Sequence, residues 1–186
     1  MLEKVSLFLF FIYLAFNINL MKKFFFLFIF AFSLLVSCST DKTTTYYLIR
    51  HSEKDRFDKT NKNPNLSNEG EKRAQRWATY FKDIELDAVY STNYNRTIQT
   101  ATPTAMSKSL EIEFYNPSKM YDSVFQANTK GKTVLVVGHS NTTPVFANEI
   151  LGEKKYENMD DNDNASLYKV TISGDSKTSS VEKIEK

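Results

Sequence analysis

Residues 132–141 read "KTVLVVGHSN". Val134 to Val137 are four consecutive apolar residues, bounded by Lys132-Thr133 on one side and Gly138 on the other. A short run without polar alternation is what a strand covered on both faces requires, and such strands belong to parallel sheets flanked by helices. Immediately downstream, "TPVFANEILG" (143–152) places Pro144 just inside a helix start and Gly152 just past its end, the expected asymmetry of a helix. A strand followed by a helix is therefore the unit to look for in the rest of the chain.

The unit recurs upstream. "TTYYLIR" (44–50) is β-branched and aromatic, and a polar loop, "SEKDRFDKTNKNPN", follows it. The next stretch, "SNEGEKRAQRWATYFKD", brings Ala74, Trp77, Ala78 and Phe81 to one face of a helix, with Asn68 and Glu71 expected as its capping box. "DAVYST" reads as a second strand. "RTIQTATPTAMSKS" is helical through Ile98, Ala101 and Ala105, with Pro103 expected to kink it or limit its start. "EIEFY" reads as a third strand and "SKMYDSVFQAN" as a short helix. Near the end, "SLYKVTIS" and "VEKIEK" read as edge or antiparallel strands joined through "GDSKTS". Alternating strands and helices predict a three-layer α/β/α sandwich with a mostly parallel central sheet. Ligands in such sheets bind beyond the carboxyl ends of the strands.

That rule assembles a candidate site. Arg50 and His51 end the first strand, Arg96 lies just past the second, and His139 ends the fourth; His51 and His139 are the chain's two histidines. Guanidinium groups present planar forks of donors that match phosphate oxygens and stay charged at working pH. A metal site is disfavoured because the two arginines repel a cation and no carboxylate or cysteine cluster completes a ligand set. Two imidazoles in a cationic pocket point to phosphoryl transfer through a phosphohistidine. Either histidine alone would read as a turn residue; the joint placement of all four residues is the signal.

The same stretches resemble the histidine phosphatase superfamily, the phosphoglycerate-mutase-like fold. Its arginine-histidine-glycine motif appears as "LIRHSEK", with Ser52 at the glycine position, while "LSNEG", "VYSTNYNRTIQTATP" and "VVGHSNTTP" are similar to its other segments, over roughly residues 44–173. The resemblance implies that His51 is the phosphorylated nucleophile and that Arg50, Arg96 and His139 hold the phosphoryl oxygens. It also implies an acidic proton donor for the leaving group. Glu53 and Asp122 are the candidates; Glu111 and Glu113 alternate with Ile112 and Phe114 and read as a solvent face. "MDDNDNAS" (159–166) lacks the glycine and final glutamate of a calcium loop. It reads as a solvated loop before "SLYKV", with a place at the pocket border left open.

The amino-terminal segment is of another kind. Residues 21–38, "MKKFFFLFIFAFSLLVSC", have a basic start, an apolar tract and small residues before the chain's one cysteine. "LVSC" resembles the lipobox of bacterial lipoproteins, which implies lipidation of Cys38 and anchoring of an exported domain to a bacterial membrane, on the periplasmic or cell-surface side. The expected organisation is a signal segment over 1–37 with translation starting at Met21, a lipidated cysteine and tether over 38–44, and a phosphatase domain over 45–186. The chain's net charge is +2. Residues 1–37 contain Lys4, Lys22, Lys23 and Glu3, so the remainder is balanced at zero, which argues against a nucleic-acid-binding surface.

The expected activity is hydrolysis of a small phosphorylated substrate without metal or cofactor. Two alternatives stand beside it: a non-catalytic phosphate-binding or interaction module, and a protein phosphohistidine phosphatase.

Overall fold

The computed structural model describes residues 42–185. The signal segment, Met21 and Cys38 with most of its tether lie outside the described residues. The elements run β1 (Thr44–Arg50), α1 (Asn68–Tyr80), β2 (Ala88–Ser91), α2 (Asn95–Ser107), β3 (Ile112–Phe114), α3 (Ser123–Thr129), β4 (Thr133–Gly138), α4 (Thr142–Leu151), β5 (Ser166–Ser173) and β6 (Ser176–Lys183). They build one six-stranded sheet in the order β3-β2-β4-β1-β5-β6. β1, β2, β3 and β4 pair in parallel, while β5 runs antiparallel to β1 and β6 antiparallel to β5.

β4, the apolar run from which the fold was read, lies between β1 and β2, and Val134 to Val137 are buried. Its side chains alternate between two cores, as the two-residue period of a strand demands. Val134 and Val136 join Tyr46, Leu48, Phe125, Phe146 and Ile150 under α3 and α4. Leu135 and Val137 join Tyr47, Ile49, Trp77, Phe81 and Ala101 under α1 and α2. The sandwich expected from the sequence is therefore present, with two helices on each face.

This arrangement positions the site. The helices after β1 and β2 lie on one face, and those after β3 and β4 on the other. Where β1 and β4 adjoin, the outgoing chains separate to opposite faces, leaving a crevice beyond the strand ends. Arg50 pairs in register with Gly138, and the His51 N–H donates to the Gly138 carbonyl at 2.9 Å.

Two local readings are corrected, and that of Pro103 is narrowed, since it does not limit the helix start. Ser67, not Asn68, caps α1: its hydroxyl accepts from the Gly70 N–H at 3.2 Å, so Asn68 and Glu71 form no capping box. Pro103 lies inside α2, which begins eight residues before it and runs on to Ser107. β6 begins at Ser176, after a two-residue turn in which Gly174 has φ 56°. Its first residues are polar and exposed on an edge, so no apolar alternation announced them. Gly152 does cap α4, in the left-handed conformation expected there.

Gly70 shows how closely α1 meets the loop after His51. A β-carbon there would lie 2.0 Å from the Glu53 carbonyl oxygen. The same carbonyl accepts from the Ser67 N–H at 2.9 Å and from the Ser67 hydroxyl at 3.2 Å. The helix start is thus fastened to the loop that carries His51.

Candidate active site

His51 is 4% exposed, and the peptide groups around it are all engaged. Its N–H bonds Gly138 O, its carbonyl accepts from Asn164 Nδ2 at 2.7 Å, and the Ser52 N–H donates to Thr100 Oγ1 at 2.9 Å. The ring Nδ1 lies 2.7 Å from the Ser52 carbonyl. A carbonyl oxygen can only accept, so Nδ1 carries the proton and Nε2 keeps its lone pair. The backbone thereby selects the tautomer a nucleophilic imidazole needs.

The second histidine is 5.5 Å away, ring centre to ring centre. His139 Nε2 is 3.0 Å from Thr92 Oγ1, and the Thr92 hydroxyl donates to Thr97 Oγ1 at 3.0 Å. Thr97 in turn donates to backbone carbonyls. Because the chain of donors runs outward, Nε2 carries His139's proton. Its Nδ1 faces Arg96 Nη2 at 3.4 Å. Arg96 lies over the Tyr94 ring at 4.5 Å, a cation–π contact, and its Nε and Nη1 have no partner among the described residues.

Arg50, His51, Arg96 and His139 are thus brought together on the wall of one open cavity of about 460 Å³, with Lys54, Tyr94, Asp161 and the amino end of α4. Cations crowd it. Burial lowers the His51 pKa to about 3, helped by the charges of Arg50 and Arg96, and lowers His139 to about 4 by the same causes. Burial and the neighbouring Arg96 and Arg56 also hold the Lys54 ammonium below its ordinary range. The cavity is built for an anion: one bound there would relieve these repulsions.

The sign of the pH effect follows. In the unfolded chain both histidines take a proton near 6.5, whereas the folded protein refuses it down to about 3 and about 4. Between these values the unfolded state binds more protons, so stability falls as pH drops below 6.5, approaching about 1.4 kcal/mol per pH unit for the buried His51. Denaturant unfolding at pH 7 and pH 5 is expected to show this loss. Saturating inorganic phosphate should reduce it, because the anion raises both histidine pKa values.

The two carboxylates expected as proton donors are engaged elsewhere. Asp122 is the N-cap of α3, accepting from the Phe125 N–H at 2.9 Å, and does not line the cavity. Glu53 lies beside His51 in the chain, but its carboxylate is held by Arg73, through Nε at 2.8 and 3.0 Å and Nη2 at 2.7 Å. It braces α1 against the His51 loop. Glu111 and Glu113 are exposed, as their strand alternation suggested.

The "MDDNDNAS" loop is more than a solvated connection. Asp161 forms an ion pair with Arg50 at 2.9 Å, and Asn164 holds the His51 carbonyl. Asn164, Thr92 and Thr100 carry no signal in the sequence, since a lone Asn or Thr in a loop or helix has no characteristic spacing. Among the described residues, no group of three His, Cys, Asp or Glu side chains is arranged to hold a metal ion.

The profile of the histidine phosphatase superfamily (branch 1) matches residues 46–116. No curated protein matches the chain. Among solved structures, the protein histidine phosphatase SixA complexed with tungstate superposes with a TM-score of 0.60 at 15% identity, covering 75% of this chain and 96% of that one. A phosphoglycerate mutase from Bacillus anthracis str. Sterne gives 0.55 at 18% identity, covering 78% and 94%. A variant phosphoserine phosphatase from Entamoeba histolytica, in complex with phosphoserine, gives 0.55 at 12%, covering 73% and 94%. Likeness at these identities concerns the fold, which is phosphoglycerate-mutase-like.

Proposed function

We propose that this chain is a phosphatase of the histidine phosphatase superfamily that hydrolyses a phosphomonoester or related phosphorylated compound through a phosphohistidine on His51. The observation that carries the reading is the His51 ring, locked by Ser52 O with its Nε2 lone pair free, in a cavity it shares with Arg50, Arg96 and His139. In the first step that lone pair forms a bond to phosphorus while the bond from phosphorus to the leaving oxygen breaks. The leaving oxygen takes a proton from water, since the one proton of neutral His139 is on Nε2 and bonded to Thr92. In the second step water attacks phosphorus, the P–N bond breaks, its electron pair returns to Nε2, and the proton released by water goes to solvent. Arg50 and Arg96 meet the charge on the equatorial oxygens throughout, so the reading calls for no metal.

With Glu53 and Asp122 engaged elsewhere, leaving groups that depart without strong acid assistance fit best. That favours aryl or acyl phosphates. It also supports a second reading, a protein phosphohistidine as substrate, since the open cavity gives a protein side chain access.

The test is intact-mass analysis of the full chain after brief acid quench with an aryl phosphate, chelator present. A phosphate-sized, acid-labile adduct together with turnover is the expected result. If phosphate binds without adduct or turnover, the chain is a non-catalytic binding module instead.

Export and lipid anchoring belong to the same proposal, on the strength of residues 21–38. Membrane fractionation in a bacterial host is expected to find the chain bound through a lipid on Cys38, and Cys38→Ala is expected to abolish that modification.

A further inference from the structure

Residues Met159–Asn164 form a strap across the carboxyl ends of β1 and β4. It is tied to both histidine loops: the Met159 N–H donates to Ser140 O at 3.0 Å, and Asn164 Nδ2 to His51 O. Between these ties it surrounds the Arg50 guanidinium. Arg50 Nη1 donates to the carbonyls of Asp160 at 3.0 Å and Asp163 at 3.2 Å, and Nη2 donates to Asp161 Oδ1 at 2.9 Å. Both terminal nitrogens of a candidate phosphate-binding fork are therefore engaged from within the chain, and among the described residues Nε has no partner.

The three acceptors are not equivalent. The carbonyls belong to a backbone pinned at both ends. The Asp161 carboxylate sits on a side chain that is 70% exposed, and its other ionic contact is Arg56 at 3.5 Å, itself on the surface. Arg50, by contrast, is 2% exposed and cannot move away. An incoming phosphoryl oxygen can take the place of the Asp161 oxygen on Nη2 without disturbing the backbone. The carboxylate would then swing to water or remain with Arg56.

Resting on the phosphate-site reading above, we propose that Asp161 is a built-in competitor for the substrate's phosphoryl group: it covers Arg50 Nη2 in the free protein and is displaced on binding. It thereby sets the affinity of the site for anions. A group that only scaffolded Arg50 would act in the opposite sense, because its loss would loosen the fork and weaken binding. Asp161 also lines the cavity, so its charge opposes an anion there whether or not it remains on Arg50.

The experiment compares inorganic phosphate binding by the full chain, Asp161→Asn and Asp160→Asn, by calorimetry at low salt. Asp161→Asn is isosteric at an exposed position. Asp160→Asn removes the same charge from a side chain that bonds Asn162 N–H, not Arg50. Asp161→Asn is expected to bind phosphate about fivefold more tightly, the size an exposed ion pair supports, with a matching fall in KM for an aryl phosphate. Asp160→Asn should change binding much less. Equal or weaker binding by Asp161→Asn overturns the inference, as does a fall in kcat with KM unchanged, which would mark an acid-base group. If the parent chain and both variants bind no phosphate, the phosphate-site reading fails and this inference with it; if the parent binds and Asp161→Asn gains nothing, only this inference fails.

Discussion

Replacing His51 by alanine is expected to lower turnover of an aryl phosphate by at least about 10⁴-fold and to remove the acid-labile adduct, while the protein stays folded. The loss is large because the second imidazole of the cavity is poorly placed to replace the proposed nucleophile. His139, the other imidazole, has Nε2 bonded to Thr92 and its Nδ1 facing Arg96. Retained folding follows from the placement of His51 after the last residue of β1: its backbone bonds to Gly138 O and Asn164 survive truncation of the ring. Removing a buried imidazole from beside two guanidinium groups also removes a group that destabilises the fold at low pH. The alanine variant should therefore lose less stability than the parent between pH 7 and pH 5. Mass analysis, steady-state assay and denaturant unfolding on the same preparation check all three outcomes. An adduct that persists in His51→Ala would assign the nucleophile elsewhere.

Arg96→Ala is expected to cost about 10²–10³-fold in kcat, with a smaller change in KM. Arg96 has two nitrogens, Nε and Nη1, without a partner among the described residues, and lies over the Tyr94 ring. Such a fork is preorganised, so in the proposed reaction it would meet charge on the transferring phosphoryl group without rearranging. Lysine should not restore the rate, because a single ammonium cannot meet two oxygens or lie flat on the ring in the same way. A fall confined to KM, with Arg96→Lys near the parent rate, would reduce Arg96 to a general attractor of anions. The variant is also expected to raise the His139 pKa from about 4 toward its ordinary value, since the Arg96 charge is part of what depresses it. Histidine ring titration by NMR reads this directly.

Both expectations depend on a placement that the sequence partly disclosed. An uninterrupted apolar run such as Val134–Val137 can be stable only where both faces are covered, and that requirement points to a parallel sheet between helices. From there, residues just past strand ends fall at one edge, which brought His51, Arg50, Arg96 and His139 forward as a set. The proposed lipid attachment at Cys38 rests on the sequence alone.

Other features were not legible because their signals are not local. Ser67 rather than Asn68 caps α1 because the approach of the Glu53 carbonyl fixes where the helix can begin. Glu53 and Asp122 stand in the sequence as candidate proton donors, and one position after another says nothing of Arg73 or of the Phe125 N–H. The strap over Arg50 reads in the sequence as a solvated loop with a place at the pocket border left open; its hold on the guanidinium is not local, because Arg50 is 110 positions away in the chain.

Consecutive residues carry the periodicities, hence the alternating strands and helices, and they fix which chemical groups stand at strand ends. Which strands are neighbours, and with that the meeting of His51 and His139 across the β1/β4 crevice, emerges in the folded chain. The folded chain also sets which of its carboxylates brace helices and which one faces Arg50. The reason is physical: periodicity is a property of consecutive residues, whereas tautomer, charge pairing and pKa depend on atoms that meet only after the chain has closed its long-range contacts.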